Sequence, residues 1–509
     1  MKKSFVMGAV ILTGASVLVK IIGALFKIPL ASMIGPEGMA KFSSAYDIYA
    51  FLFVVSTSGV PVAVSKIVSE YNGLERFGDI KRIFKVSLTS LFAVGALGFG
   101  FLFFFSQQIA NTLSNPSAAL CIMAIAPAML FVTVASAYRG YFQGFGNMYP
   151  TAVSQIFEAF LKLLCGLVLA YLAIKSGMGS DYSAAGAVLG VSIGAFFSMV
   201  VLIIAKRMSK ITNLEKPLRS VGHMLLKLVK ISLPITVGAS VLSLSHLIDA
   251  AMVLNRLRFA GVTYQHSLFL YGSYKNAVNL SNLTPALLAS LAISVLPVIS
   301  GALAGGDNTG AKKAESSAIW LTSVVAFPCA FGMAALAKPI LTLFFSSRMD
   351  SVQVATPLLA LLSVSSLFVC LGSISCSILQ ARGRFIVPVI NVAVGSVFKL
   401  VLSYVLISNP GINIAGAVAS SFVCHGIIAI LNLMFLQPQS IVKTIIKPLI
   451  CAVLCAFAGV WVFNICGRLS LVTGICAAIG SAGVVYVLAL WLCGGVSKED
   501  LSVVLRRSR

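Results

Sequence analysis

Fourteen long apolar runs punctuate the 509-residue chain, at about 5–34, 44–67, 86–108, 118–138, 150–174, 183–205, 229–254, 271–302, 315–337, 353–379, 387–408, 414–436, 446–466 and 470–493. A helix needs roughly 20 consecutive apolar residues to cross the hydrocarbon of a bilayer, and within hydrocarbon only a helix or a closed barrel satisfies its own backbone. With 59% hydrophobic residues and a mean hydropathy of +1.01, the chain carries more apolar surface than a soluble core absorbs. The expected fold is an all-α integral membrane protein of about 14 transmembrane helices. The stretch LAKPILTLFF at 336–345 reads either as a re-entrant turn or as a helix end. Met1-Lys2-Lys3 before an apolar run resembles a secretory signal, but the run is too long and is followed by further spans, so an uncleaved first span is expected.

Basic residues set the expected orientation. Twenty-five lysines and arginines fall on the side of the N-terminus and seven on the other (Lys41, Lys175, Arg256, Arg258, Lys338, Arg348 and Arg468), which places both termini in the cytoplasm of a cell with a multi-pass plasma membrane. The net charge of +23 is thereby explained by short cytoplasmic loops beside lipid headgroups, and no nucleic-acid partner is expected. The eleven cysteines lie almost wholly in apolar segments without a CxxC pair, which points to packing residues and to no metal site.

An internal repeat organises the spans. Gln143 and Gln380, Gly146 and Gly383, Lys162 and Lys399, and Leu163 and Leu400 match at an offset of 237, and Val60-Pro61-Val62 resembles Leu296-Pro297-Val298 at an offset of 236. The pattern predicts two pseudo-symmetric lobes of six helices at 1–228 and 229–440, with two further helices and a cytoplasmic tail at 441–509. An even number of helices per lobe relates the halves by an axis along the membrane normal, with a cleft between them.

Polar residues inside the apolar runs are costly and therefore informative. Lys20 and Lys27 lie seven residues apart in the first run, two helical turns, and continue through Thr13, Ser16, Gly23 and Ala31 as one small, hydroxyl and cationic stripe. A lysine at mid-bilayer costs roughly 2.5–3.5 kcal/mol even on a lenient scale, so the stripe is expected to line a wet chamber for an anion; snorkelling to headgroups is the alternative. The second run opens with Tyr46, Asp47 and Tyr49 and loosens at Thr57-Ser58-Gly59-Val60-Pro61. The seventh carries Ser243, His246 and Asp249, with Arg256 two turns beyond, and the eighth carries Lys275, Asn279 and Asn282 before Pro285 breaks the helix.

Each of these has a bland reading. Glu158 and Lys162 at i, i+4 either neutralise one another within their helix or take part in ion coupling. His246 is a packing residue unless Asp249, one turn on, makes the pair responsive to a proton or cation. Lys275 and Lys399 have headgroup or carbonyl contacts as alternatives, and Asn279 and Asn282 can serve backbone freed by the proline.

The stretches LVKIIGALFKIPLASMIGPEGMAKFSSAYDIY, TSGVPVAVSKIVSEY, RGYFQGFGNMYP and YGSYKNAVNLSNLTPALLASLAISVLPVIS resemble the stage V sporulation protein B group of polysaccharide-type flippases. That group is related to lipid II flippases within the multidrug, oligosaccharidyl-lipid and polysaccharide exporter superfamily. The resemblance covers essentially the whole chain. It implies alternating access and outward movement of an undecaprenyl-pyrophosphate-linked cell-wall precursor, for peptidoglycan or spore cortex, with other cell-wall synthesis proteins as candidate partners. It places Lys20 at the position of a first-helix arginine in those flippases; Lys27 is displaced by one residue from their second basic position, and Lys275 corresponds only roughly to a basic residue of their eighth helix.

The expectation is a non-enzymatic flippase. Lys20, Lys27, Lys275 and Arg256 would hold pyrophosphate, and Asn279, Asn282 and Tyr46 or Tyr49, beside Asp47, would face the sugar. Gly23, Gly59, Pro61 and Pro285 would act as hinges. Asp249, His246, Glu158 and Lys162 are candidates for coupling to a cation or proton, whose identity is left open, and no cofactor is expected. A cation-coupled multidrug exporter shares the fold but would face two repelling lysines. A membrane enzyme of polysaccharide assembly would need a catalytic loop, and the longest polar loop, at about 206–228, holds no DxD, HExxH or Gly-rich cradle.

Overall fold

The computed structural model describes residues 2–209, 217–436, 442–468 and 470–494. Lys210 and Lys216 of the longest polar loop, the basic tail residues Lys498, Arg506, Arg507 and Arg509, and the side chains of Lys2, Lys3 and Thr13 lie outside what is described. Every regular element among the described residues is helical, and the chain divides into two compact units, Met1–Gly272 and Ser273–Arg509.

The first unit contains α1 (Lys2–Thr57), α2 (Gly59–Gly73), α3 (Phe77–Phe104), α4 (Ser106–Thr112), α5 (Ala119–Gly144), α6 (Tyr149–Lys175), α7 (Gly179–Met208) and α8 (Val221–Phe259). Helix α9 (Tyr264–Ser281) runs across the boundary. The second unit contains α10 (Leu283–Ala304), α11 (Asn308–Ala335), α12 (Ala337–Phe345), α13 (Met349–Ala381), α14 (Ile386–Ile407), α15 (Ala415–Leu436), α16 (Lys447–Cys466) and α17 (Leu471–Leu492). Helix α8, expected to open a second lobe at 229, belongs to the first unit, and α16 and α17 stay within the second.

Among the described residues, eleven helical stretches are long and apolar enough to span a bilayer, beside the about 14 apolar runs of the sequence. Part of the difference lies in the first two runs, which form two helical halves abutting at a kink on one non-helical residue, Gly35 at φ 70° and ψ 179°. Only glycine holds such backbone without strain. Pro36 then restarts the helix in its first turn, where the missing N–H costs nothing, so residues 36–43, between the first two apolar runs, are helical. The break expected at Thr57–Pro61 is present between α1 and α2, and the one before Pro285 separates α9 from α10. LAKPILTLFF forms its own short helix, α12.

Small residues let these helices approach closely, as van der Waals packing in lipid requires. In α5, a methyl on Gly140 or Gly144 would strike Pro61, Val64 or Val68 of α2, and Gly190 of α7 lies against Gly166 of α6. Cys121, Cys370, Cys424, Cys451 and Cys455 are buried packing residues. In the second unit, Asn391 donates to Asn432 at 2.8 Å and Ser403 meets Ser420 at 2.8 Å, tying α14 to α15, while Ser365 of α13 contacts His425 Nδ1 at 2.9 Å.

The repeat has a structural counterpart in two turns. After α5, Gly146 (φ 74°) donates to Gln143 and Asn147 to Phe142; after α13, Gly383 (φ 77°) donates to Gln380 and Arg384 to Leu379. Both turns are the same αL helix stop with 5→2 and 6→1 bonds, which is why glycine recurs there at the offset of 237.

Candidate functional site

Before its kink, α1 has two accessible faces. Ile11, Leu18, Ile21 and Leu25 form an exposed apolar row that suits acyl chains. At 100° per residue, Lys20 and Lys27 project about 150° away from that row. Lys20 is exposed and Lys27 half-buried, so the cationic face is reachable on the side of the helix opposite the apolar one. Ser16 and Gly23 are half-buried on this face, Ser16 returning its hydroxyl to the Leu12 carbonyl at 2.9 Å, and Ala31 is buried as the stripe nears Gly35.

Beyond the kink, the spacing 42, 46, 49, 53 turns four aromatic rings to one side. Phe42 stacks on Tyr46 with centroids 5.6 Å apart, Tyr46 meets Tyr49 at 6.1 Å, and Tyr49 meets Phe53 at 5.9 Å. The two halves of α1 join through this row. Lys27 Nζ lies 5.1 Å from the Tyr46 ring centroid and Phe26 packs edge-on against Phe42 at 5.9 Å. An ammonium on the face of a tyrosine ring is stabilised by the ring quadrupole, which fixes where Lys27 points. Asp47 is half-buried beside Tyr46.

Helices α5, α6 and α7 add charge to the same unit. Arg139 donates through Nη2 to Glu158 Oε2 at 2.7 Å and to Ser198 Oγ at 2.9 Å, linking the three helices. Its Nε is buried without a hydrogen-bond partner among the described residues. Tyr49 lies within electrostatic range of both Glu158 and Arg139, so this pair borders the aromatic row. Lys162 Nζ sits 5.9 Å from the ring of Phe26, the residue before Lys27, and Gly166 one turn on leaves the space that Phe26 fills.

Three expectations are set right by this geometry. Glu158 pairs with Arg139 across helices and not with Lys162 along its own helix: α7 packs against both α5 and α6, and the Arg139 guanidinium reaches Glu158 while also bonding Ser198 of α7. Arg139, counted among the cytoplasmic basic residues, is an interior side chain only 8% exposed within α5. Likewise Lys41, assigned to an outer loop, is buried in the second half of α1 and is bound to Asp181 and, at 2.6 Å, to Ser180 at the start of α7. Both could have been suspected from sequence, since each follows or enters an apolar run without intervening turn residues.

The remaining expected residues are distributed more widely. Arg256, in the last turn of α8, donates to its neighbour Asn255 at 2.7 Å and lies 5.0 Å over Phe259, so its described contacts are local. Asp249 is buried, whereas His246 one turn earlier is exposed. Lys275 is buried in the second unit with Nζ 5.9 Å from the Tyr274 ring; Asn279 is half-buried and Asn282 exposed at the α9–α10 break. Lys399 is buried within α14.

The expected hinges differ in kind. A methyl at Gly23 would meet nothing within 4 Å, and α1 continues straight through it. Gly59 sits at a true break, its α-carbon so close to α8 that a methyl would overlap the Ser232 carbonyl and Thr236. Pro61 and Pro285 both fall in the first turn of a helix, α2 and α10. Gly35, the non-helical residue within α1, was not among the expected hinges, although Gly35-Pro36 is a recognisable breaker pair.

A family model described as "Polysaccharide biosynthesis protein" matches residues 5–303, and the MatE model matches residues 272–405. Two relatives from Bacillus subtilis (strain 168) are stage V sporulation protein B, 26% identical over 82% of this chain and 80% of the relative, and lipid II flippase MurJ, 25% identical over 80% and 78%. Among solved structures, lipid II flippase MurJ in an inward closed conformation superposes with a TM-score of 0.70 at 16% identity, covering 98% of this chain and 99% of that one. The chain thus has the fold of that flippase and is a multi-pass membrane protein.

Proposed function

Because the chain belongs to the polysaccharide biosynthesis protein family, we propose that it is a flippase that moves an undecaprenyl-pyrophosphate-linked saccharide from the inner to the outer leaflet of a bacterial plasma membrane. The observation that carries this reading is the Lys20–Lys27 face of α1, accessible yet turned away from the exposed apolar row of the same helix. Two ammonium groups there replace part of the water and counterions that a pyrophosphate leaves behind, and Tyr46, fixed under Lys27, offers a hydroxyl and a ring face to a sugar. Among the charged side chains of this part of the unit, Lys20, Lys27, Lys162 and Arg139 outnumber Glu158 and Asp47, so the local field favours an anion.

No bond is made or broken in this process, and the protein acts as a transporter and not as an enzyme. With both termini in the cytoplasm, an inside-negative potential drives an anion outward by about 2.3 kcal/mol per charge per 100 mV. A doubly anionic head is therefore driven without a coupled ion as long as the lysines stay in place. The Arg139–Glu158 pair, Asp249 and His246 are where a returning proton or cation would act.

Reconstitution of the full chain into liposomes, with lipid II and other undecaprenyl-linked sugars compared at defined membrane potential, tests the reading. Lys20→Ala and Lys27→Ala should each lower flipping at least tenfold with unchanged membrane insertion, and unaltered flipping in both would refute it. The MatE match keeps one competitor in view, an exporter of organic cations. Efflux of an organic cation by the native chain, undiminished by these substitutions, would favour that competitor.

A further inference from the structure

The second unit holds a cavity of about 420 Å³ between the start of α11 and the end of α13, lined by Leu303, Asn308, Lys312, Glu315, Arg382 and Arg384. This volume is in the range of small-ligand sites. Glu315 is buried and is held by Arg382 through two parallel bonds, Nε to Oε1 at 2.7 Å and Nη2 to Oε2 at 2.6 Å. The carboxylate is thereby neutralised and the guanidinium locked as a wall, with its remaining N–H groups not engaged by Glu315. Lys312 and Arg384 are exposed and converge on the same cavity. The result is a concave site whose one anion is already satisfied and which presents two further cations.

The turn that carries the two arginines does not require them. The equivalent turn of the first unit closes with the same hydrogen bonds and the same αL glycine, and there Phe145 and Asn147 occupy the places of Arg382 and Arg384. Positive-inside topology asks only that cations lie on this side of the membrane, not that they converge on one cavity over a buried, pre-paired glutamate. Directly after Arg384 in the chain, Phe385 and Ile386 are 63% and 72% exposed, an apolar surface adjoining a lining residue of the cationic site.

We propose that this cavity binds a phosphate group, with Lys312, Arg382 and Arg384 as its donors, and that the adjoining Phe385 and Ile386 take the chains when the phosphate belongs to an anionic phospholipid. Lysine and arginine donors suit phosphate oxygens, and the planar guanidinium allows two bonds from one side chain. The site is separate from the Lys20–Lys27 face and does not depend on the transport reading.

The test uses the purified full chain in neutral detergent at constant ionic strength, titrated with dioctanoyl phosphatidylglycerol, dioctanoyl phosphatidylcholine or inorganic phosphate while thermal unfolding and lipid retention in native mass spectrometry are followed. Saturable stabilisation by phosphatidylglycerol is expected, with none by phosphatidylcholine, and Lys312→Gln/Arg384→Gln should weaken it roughly tenfold or more. Lys81→Gln/Lys85→Gln, an equal change of charge on exposed positions of α3, should leave it unchanged. Saturation by inorganic phosphate with the same loss in the Lys312/Arg384 variant supports a soluble phosphate ligand at this site. Absence of saturable binding by either anion, or equal binding by the native chain and the Lys312/Arg384 variant, overturns the proposal.

Discussion

The pairing of Glu158 is the point at which sequence and structure differ most usefully, and a double-mutant cycle decides between them. Helical spacing offers Lys162 as the partner, whereas the structure brings Arg139 of the neighbouring helix to 2.7 Å. The Arg139 and Glu158 side chains are 10% and 25% exposed, so the pair is largely withdrawn from solvent. Two unit charges with centres roughly 4 Å apart attract by about 4 kcal/mol at an effective dielectric of 20, and removing one partner of a buried pair typically costs 3–5 kcal/mol because the other is stranded. Discounting for the exposed quarter of Glu158, Arg139→Leu should destabilise the protein by about 2–4 kcal/mol, while Arg139→Leu/Glu158→Leu should recover most of that loss. The coupling energy between 139 and 158 should thus be about 2–4 kcal/mol, against less than about 0.5 kcal/mol between 158 and 162, the usual scale for an i, i+4 pair. Equilibrium unfolding in mixed micelles, followed by far-ultraviolet circular dichroism, measures both cycles. A larger coupling for Glu158 with Lys162 than with Arg139 would refute the geometric argument.

Two further predictions concern local backbone. Gly23→Ala should be neutral or stabilising by up to about 1 kcal/mol, since a methyl there meets nothing and alanine is the better helix former, and flipping should persist. Gly35→Ala should reduce both stability and transport, because φ 70° with extended ψ is closed to alanine; measured together, the two variants locate the bend that transport uses. At the start of α11, Asp307 accepts from the Gly310 N–H at 2.8 Å and from the Thr309 hydroxyl at 2.9 Å, which hold its carboxyl below its ordinary range. A depressed folded pKa contributes stability that is present above the ordinary carboxylate range and is lost as pH falls through the folded value. The difference in melting temperature between the native chain and Asp307→Ala should therefore shrink on acidification, while Asp307→Ser should show no such pH dependence.

What was legible in the chain is what a bilayer enforces locally. Length and apolarity placed the helices, and breaker residues placed the interruptions at Ser58 and before Pro285, because in lipid each segment must satisfy its own backbone. The matched Gln143–Gly146 and Gln380–Gly383 segments were visible as a repeat before their reason was, namely two helix stops of identical hydrogen bonding. The partners of interior charges were not legible. Lys41 with Asp181 is 140 residues apart, and Arg139 reaches both Glu158 and Ser198 across two helices. Such pairings follow from which helix faces meet, and that is set by small residues such as Gly166 and Gly190, whose effect depends on the whole packing and not on local pattern.

The positive side chains inside the first unit are consequently of two physical kinds. Lys41 and Arg139 are buried and carry carboxylate partners, so each is a fixed element of the helix packing and contributes little net field. Lys20 and Lys27 stand on an accessible face, one exposed and the other half-buried against the Tyr46 ring. Under the transport reading proposed above, an anion would meet this accessible face directly, whereas it would reach Lys41 or Arg139 only by displacing a carboxylate. On that reading, selectivity for anions would follow from which lysines are accessible more than from how many the chain contains, and the total charge of +23 by itself says nothing of what is carried.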